Sequence, residues 1–267
     1  MNTKKRLLWL DALRGFTVVS MVLYHGMWDA VWLYGFHAPW YRELPGYVWQ
    51  QSICWTFIFL AGFSWRFDRH PLKRGMMVFG TGLLITVLTC LFMPESRIIF
   101  GVLTLIGSCI LLMIPLDRGL QGGMCTGESS ARYENGSAAG PGLGFLLAAF
   151  LFFFTRNVNV GSLGFERIVI ARLPISLYRN LVTTYFGFPY PEFFSTDYFS
   201  LIPWFFLFLA GYFAHGMWKA GVDRDRDAQT AAAAPPAILR AFACIGRHAM
   251  LVYVLHQPLI MLFFLFV

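Results

Sequence analysis

The sequence predicts an all-α, polytopic membrane helix bundle with about seven transmembrane helices and a cytoplasmic N-terminus. Composition is the first reason. Of 267 residues, 57% are hydrophobic and only 13% charged, and 28 Phe, 9 Trp and 11 Tyr are among them. A soluble domain carries about 25% charged residues. Segment length is the second reason: several stretches approach the ~20 consecutive apolar residues that span a bilayer, which a greasy soluble core does not require. The third is the placement of positive charge, mostly in loops between apolar segments.

The elements follow in order. Membrane helices are predicted over 7–34, 47–67, 72–93, 97–116, 142–155, 199–218 and 238–266, the last open to interruption at Gly246. The first follows Lys4, Lys5 and Arg6 as a signal peptide would. Its apolar run is long, contains charges and ends in Trp and Tyr without a small-residue cleavage site, so it reads as a retained helix. Segment 117–141, rich in Gly and Ser, reads as a flexible cytoplasmic linker, and 219–237 as a second one. Between them, 156–198 reads as an extracytoplasmic loop, the whole chain being one integral-membrane domain.

Charge sets the expected orientation. Lys4, Lys5 and Arg6, then Arg66, Arg69, Lys73 and Arg74, then Lys219, Arg224, Arg226 and Arg240 fall on one side if seven helices alternate. That side is predicted to be cytoplasmic. Arg156, Arg167, Arg172 and Arg179 run against the rule, but long loops translocate largely regardless of charge. The formal net charge of +7 therefore signals topology and not a nucleic-acid partner, because no basic domain gathers it. The five cysteines, including Cys125 in the first linker, show no spacing that suggests a metal, and none is expected.

The first helix carries the main chemical signal. The stretch LDALRGFTVVSMVLYHGMWDAVW, residues 10–32, contains Asp11, Arg14, His25 and Asp29. At 100° per residue these four fall within an arc of roughly 60°, while Ser20 points the opposite way. The stripe is roughly 27 Å long, close to the hydrocarbon thickness. Ionisable groups are costly in lipid and line bundle interiors or wet cavities. Asp11 and Arg14, three residues apart, are placed to neutralise one another. His25 and Asp29, four apart, have the spacing at which a carboxylate fixes an imidazole tautomer for general-base work. Two buried ion pairs that merely tie helices together would leave the same pattern. His37 in GFHAPW and His256 in LVYVLHQPLI are further candidates; an exposed loop histidine and a satisfied packing histidine are their plainer readings. Asp197 precedes the sixth helix, as a helix-start acid or as a group at the outer mouth.

These residues resemble a known family. RLLWLDALRGFTVVSMVLYHGMWD is similar to the opening of the heparan-alpha-glucosaminide N-acetyltransferase catalytic-domain family, especially its small bacterial members, within a wider transmembrane acyltransferase superfamily. The likeness continues through WTFIFLAGFS, IIFGVLTLIGSCILL, FFSTDYFSLIPWFFLFLAGYF and IGRHAMLVYVLHQPLI, in the family's order and over most of the chain. The resemblance implies transfer of an acetyl or other acyl group from cytoplasmic acetyl-CoA to an extracytoplasmic sugar or glycan, in a cell (inner) membrane. It implies Arg14 and Arg247, with Asp11 beside them, at the donor end, and a histidine as general base or transient acyl carrier: His25 is favoured over His37 because Asp29 shares its stripe, with His256 a further candidate; Asp197 and Trp204 are expected toward the acceptor. A homodimer is an open possibility. The family often has a histidine where this chain has Thr104, and the chain lacks the extra helices of the eukaryotic enzymes, so their heparan acceptor is not carried over. Two other readings stand beside this one: a small transporter or proton-coupled channel using the stripe, and a non-catalytic membrane protein that keeps the fold.

Overall fold

The computed structural model describes residues 7–122, 139–224, 235–264 and 266. Lys4, Lys5, Arg6, Cys125, Arg226 and the central parts of both expected linkers lie outside the described residues. The chain forms two compact units: residues 1–60 with 229–267, and residues 61–228.

The first unit is built around α1 (Leu8–Trp32), 25 residues long. Gly35, with φ +70°, turns the chain after it toward α2 (Pro39–Arg42), and α3 (Leu44–Ser64) follows. Tyr41 of α2 donates to the Tyr24 carbonyl at 2.9 Å, and with Val31 and Ala38 it makes a small core against α1. The C-terminal arm is a bent pair, α9 (Ala237–Arg247) and α10 (Ala249–Phe264), meeting at 82°. The bend falls at His248, two residues past the expected Gly246. Gly246 has another use. A Cβ there would overlap the Asp11 carbonyl, and one at Gly15 would overlap the Phe242 carbonyl. The two glycines let the backbones of α1 and α9 touch, which is how small residues drive helix association where lipid removes the hydrophobic incentive.

In the second unit α4 (Pro71–Phe92) and α5 (Val102–Gly122) lie side by side. A Cβ on Gly82 would meet Thr104, one on Gly107 would meet Phe79 and one on Gly75 would meet Leu111, so the helices run antiparallel. α6 (Ala139–Phe154) packs on α8 (Leu201–Arg224), with Gly144 against the Phe213 ring. Between them, 156–198 is more than a loop. It holds an antiparallel hairpin, β1 (Ser162–Phe165) and β2 (Ile168–Arg172), and a short α7 (Leu181–Phe186). Asn157 anchors the hairpin by donating to the carbonyls of Glu166 at 2.9 Å and Ile168 at 3.3 Å.

The described chain is mostly helical. Among the described residues, four helices are long and apolar enough to cross a membrane, or five if the α9–α10 pair is one span. α1 is not one of them, because its ionisable stripe lowers its mean hydropathy. The architecture fits a multi-pass helical membrane protein, with the hairpin as its non-helical exception.

Candidate functional site

The two ends of the stripe meet different helices. At one end the Arg14 Nη1 donates to Asp11 Oδ1 at 3.0 Å, the internal pair that their spacing suggests. The glycine seam brings the last turn of α9 to this end, and with it Arg247, which is exposed and donates from Nε to the Ala243 carbonyl at 3.2 Å.

At the other end α10 supplies the partners. The ring centroids of His25 and His256 lie 4.9 Å apart, tilted by 55°. His256 is 9% exposed, and its Nδ1 faces the Tyr253 carbonyl, so that nitrogen carries a proton and donates it. A neutral His256 therefore keeps its lone pair on Nε2. Asp29 does not hydrogen-bond to His25. Fully buried, its carboxylate accepts two hydrogen bonds from Gln257 Nε2, at 3.0 and 3.2 Å. The short Asp side chain is reached from across the helix interface by the longer amide, and the imidazole pairs with the other imidazole. Asp29 thus holds the residue next to His256. Gln257 carried no weight in the sequence reading, although an amide beside a histidine in an apolar helix is a usable signal.

His37 is exposed in the turn between α1 and α2, and none of the contacts described for this end of α1 involves it. Asp197 and Trp204 belong to the second unit. Asp197 is a helix-start acid, but of α5 and not of the helix that follows it. Its Oδ2 accepts from the Val102 N–H at 3.4 Å, and the segment is laced to 96–102 by bonds such as Phe199 N to Phe100 O at 2.8 Å. Trp204 is 5% exposed, packed against Phe152 and Phe199 with the Arg156 guanidinium 4.9 Å from its ring centroid. That is a core position and not an open one.

Burial pushes the Asp197 carboxyl up to about 6, against the smaller downward pull of the Val102 N–H. A carboxyl raised in the folded state favours the fold when protonated. Its contribution is complete below the unfolded value of 3.8 and is lost as pH rises through about 6. Asp197→Asn is expected to flatten the dependence of Tm on pH between these two values, with the wild type losing stability across the window and the variant not. Parallel curves for the two proteins would contradict this assignment.

The fold and site define a multi-pass helical membrane protein with a buried imidazole, His256, against a partly buried one, His25, at one end of a charged stripe. The chain belongs to the heparan-alpha-glucosaminide N-acetyltransferase catalytic family, whose profile matches residues 6–126 and 142–258. Comparisons with curated proteins and with solved structures returned no match. Membership gives the class, a membrane acetyltransferase-like protein, and leaves donor, acceptor and mechanism to be argued from the site.

Proposed function

We propose that the protein moves an acetyl group from cytoplasmic acetyl-CoA to an extracytoplasmic sugar or glycan, with the His25–His256 pair taking the proton of the acceptor. The observation that carries this reading is the imidazole pair, with its 4.9 Å spacing and the Asp29–Gln257 clamp beside it. The step balances simply. An acceptor hydroxyl or amine attacks the thioester carbonyl while an imidazole accepts its proton; the C–S bond breaks, and the leaving CoA thiolate takes the proton back as free thiol. The Nε2 lone pair of His256 is the better defined base, and His25 is placed to share the charge. In this scheme Arg14 and Arg247, at the opposite end of the stripe, attract the CoA phosphates. The N-terminus and that end face the cytoplasm, as the loop charges suggest.

The first experiment needs no knowledge of the acceptor. Acetyl-CoA and CoA are expected to raise the Tm of the detergent-purified protein saturably, ATP is not, and Arg14→Ala is expected to lose most of the shift. A folded wild type without any shift at millimolar acetyl-CoA would remove the donor from this reading.

A further inference from the structure

The hairpin of the second unit carries an apolar surface that its own sheet does not use. With the residue before it, β2 reads RIVIAR, residues 167–172. Ile168, Val169 and Ile170 are 65%, 56% and 62% exposed. Successive side chains of a strand point to opposite faces, so β2 is apolar and open on both. One exposed Ile is ordinary. A contiguous apolar strand at a sheet edge is a liability in water and marks a contact with a protein or a membrane.

The position of the hairpin favours the membrane. The candidate span that contains α6 runs on to Val160, and β1 starts at Ser162. The hairpin is folded back over that end of the helix. The Phe165 and Phe153 ring centroids lie 5.1 Å apart, the Asn157 N–H donates to the Gly164 carbonyl at 3.2 Å, and the Leu173 N–H donates to the Gly161 carbonyl at 2.9 Å. α6 is itself open to its surroundings through Leu143, Leu146 and Phe150, all exposed. β2 is therefore held where a membrane helix ends, and there hydrocarbon gives way to headgroups.

The charge of the hairpin complements that layer. Arg167 and Arg172 bracket the apolar residues, both are exposed, and among the described residues neither forms an ion pair. Glu166, the acid of the turn, faces Arg156 at 3.9 Å. Guanidinium groups pair with phosphate oxygens in a fork, and their stems lie along apolar surface while the charge stays in water. Arg167 and Arg172 are also two of the four arginines that run against the positive-inside distribution, so a use at the membrane accounts for part of that exception.

We propose that the hairpin is an anchor in an anionic bilayer surface: Ile168, Val169 and Ile170 enter the upper acyl layer at the end of α6, and Arg167 and Arg172 hold lipid phosphates. The proposal stands without the acetyl-transfer reading, and its readout is local to the hairpin.

Val169 or Ile170 of the full chain is replaced in turn by a ketone-bearing amino acid that takes a nitroxide, which leaves the native cysteines untouched. The protein is reconstituted in phosphatidylcholine bilayers with and without phosphatidylglycerol. Relaxation by oxygen, which concentrates in lipid, is compared with relaxation by a nickel chelate, which stays in water. With phosphatidylglycerol, oxygen is expected to dominate at both positions, one on each face of the strand. Arg167→Gln and Arg172→Gln are each expected to lower the ratio of lipid-facing to water-facing nitroxide about fivefold, from about 1 kcal/mol per basic residue at an anionic surface. Raised salt is expected to act in the same direction without either substitution, which keeps the test open if a variant misfolds. Nickel dominating at either position would overturn the anchor. So would a ratio indifferent to phosphatidylglycerol, to salt and to both substitutions. Spin–spin broadening that vanishes on dilution with unlabelled protein would overturn it as well, because β2 would then pair with a second copy of the chain.

Discussion

His256→Ala and His25→Ala are each expected to reduce acetyl transfer by about 10²–10⁴-fold while leaving the acetyl-CoA-induced rise in Tm in place. The reason is the geometry of the pair. The two ring centroids sit 4.9 Å apart at one end of the stripe, while the Asp11–Arg14 pair and Arg247 occupy the other end, so the proposed base and the proposed donor contacts fall at opposite ends. Asp29→Ala is expected to be milder than either. It leaves both imidazoles but frees Gln257, and with it the fixed position of its neighbour His256. His37→Ala is the informative contrast, because His37 is exposed and stands apart from the pair. If His37→Ala abolished transfer and His256→Ala did not, the pair would not be the base.

The second large effect is structural and has opposite signs at two glycines of the same helix. Gly15→Ala places a methyl group against the Phe242 carbonyl, and Gly246→Ala places one against the Asp11 carbonyl. Neither obstacle is a side chain that can swing away, so the helices must separate. A cost of about 1–3 kcal/mol is expected for each, the range for forcing extra volume into a packed contact. Gly26→Ala meets nothing within 4 Å and is expected to gain up to about 1 kcal/mol from helix propensity. Thermal melting in detergent checks all three. Equal small effects at Gly15, Gly26 and Gly246 would mean that α1 and α9 do not touch through this seam. Because the seam carries Arg247 to the Asp11–Arg14 end, the two destabilised variants are also expected to bind acetyl-CoA less tightly.

The stripe itself was legible in the sequence, since helical periodicity alone puts Asp11, Arg14, His25 and Asp29 on one face. The Asp11–Arg14 pair was legible too, being local. The partners of the other two were not. Asp29 reaches Gln257, 228 residues away, and His25 meets His256; i,i+4 spacing within α1 cannot compete with side chains arriving from another helix. Asp197 shows the same limit, because it starts a helix distant in sequence and not the adjacent one. Gly246 was read as a break when its role is contact, with the bend following at His248. The hairpin went unread because β1 and β2 are only 4 and 5 residues long; β1 alternates in burial but buries Ser162 and Gly164, and β2 is exposed throughout, so neither carries the apolar alternation that marks a strand.

The most direct measurement is transfer across a sealed membrane. Proteoliposomes would be given acetyl-CoA labelled in its acetyl group on one side and a panel of amino sugars and glycans on the other. The account predicts label on an acceptor of the opposite compartment with wild type, and its loss with His256→Ala. A change in internal pH driven by the protein, without movement of label to any acceptor, would contradict acetyl transfer and make the imidazole pair a proton path.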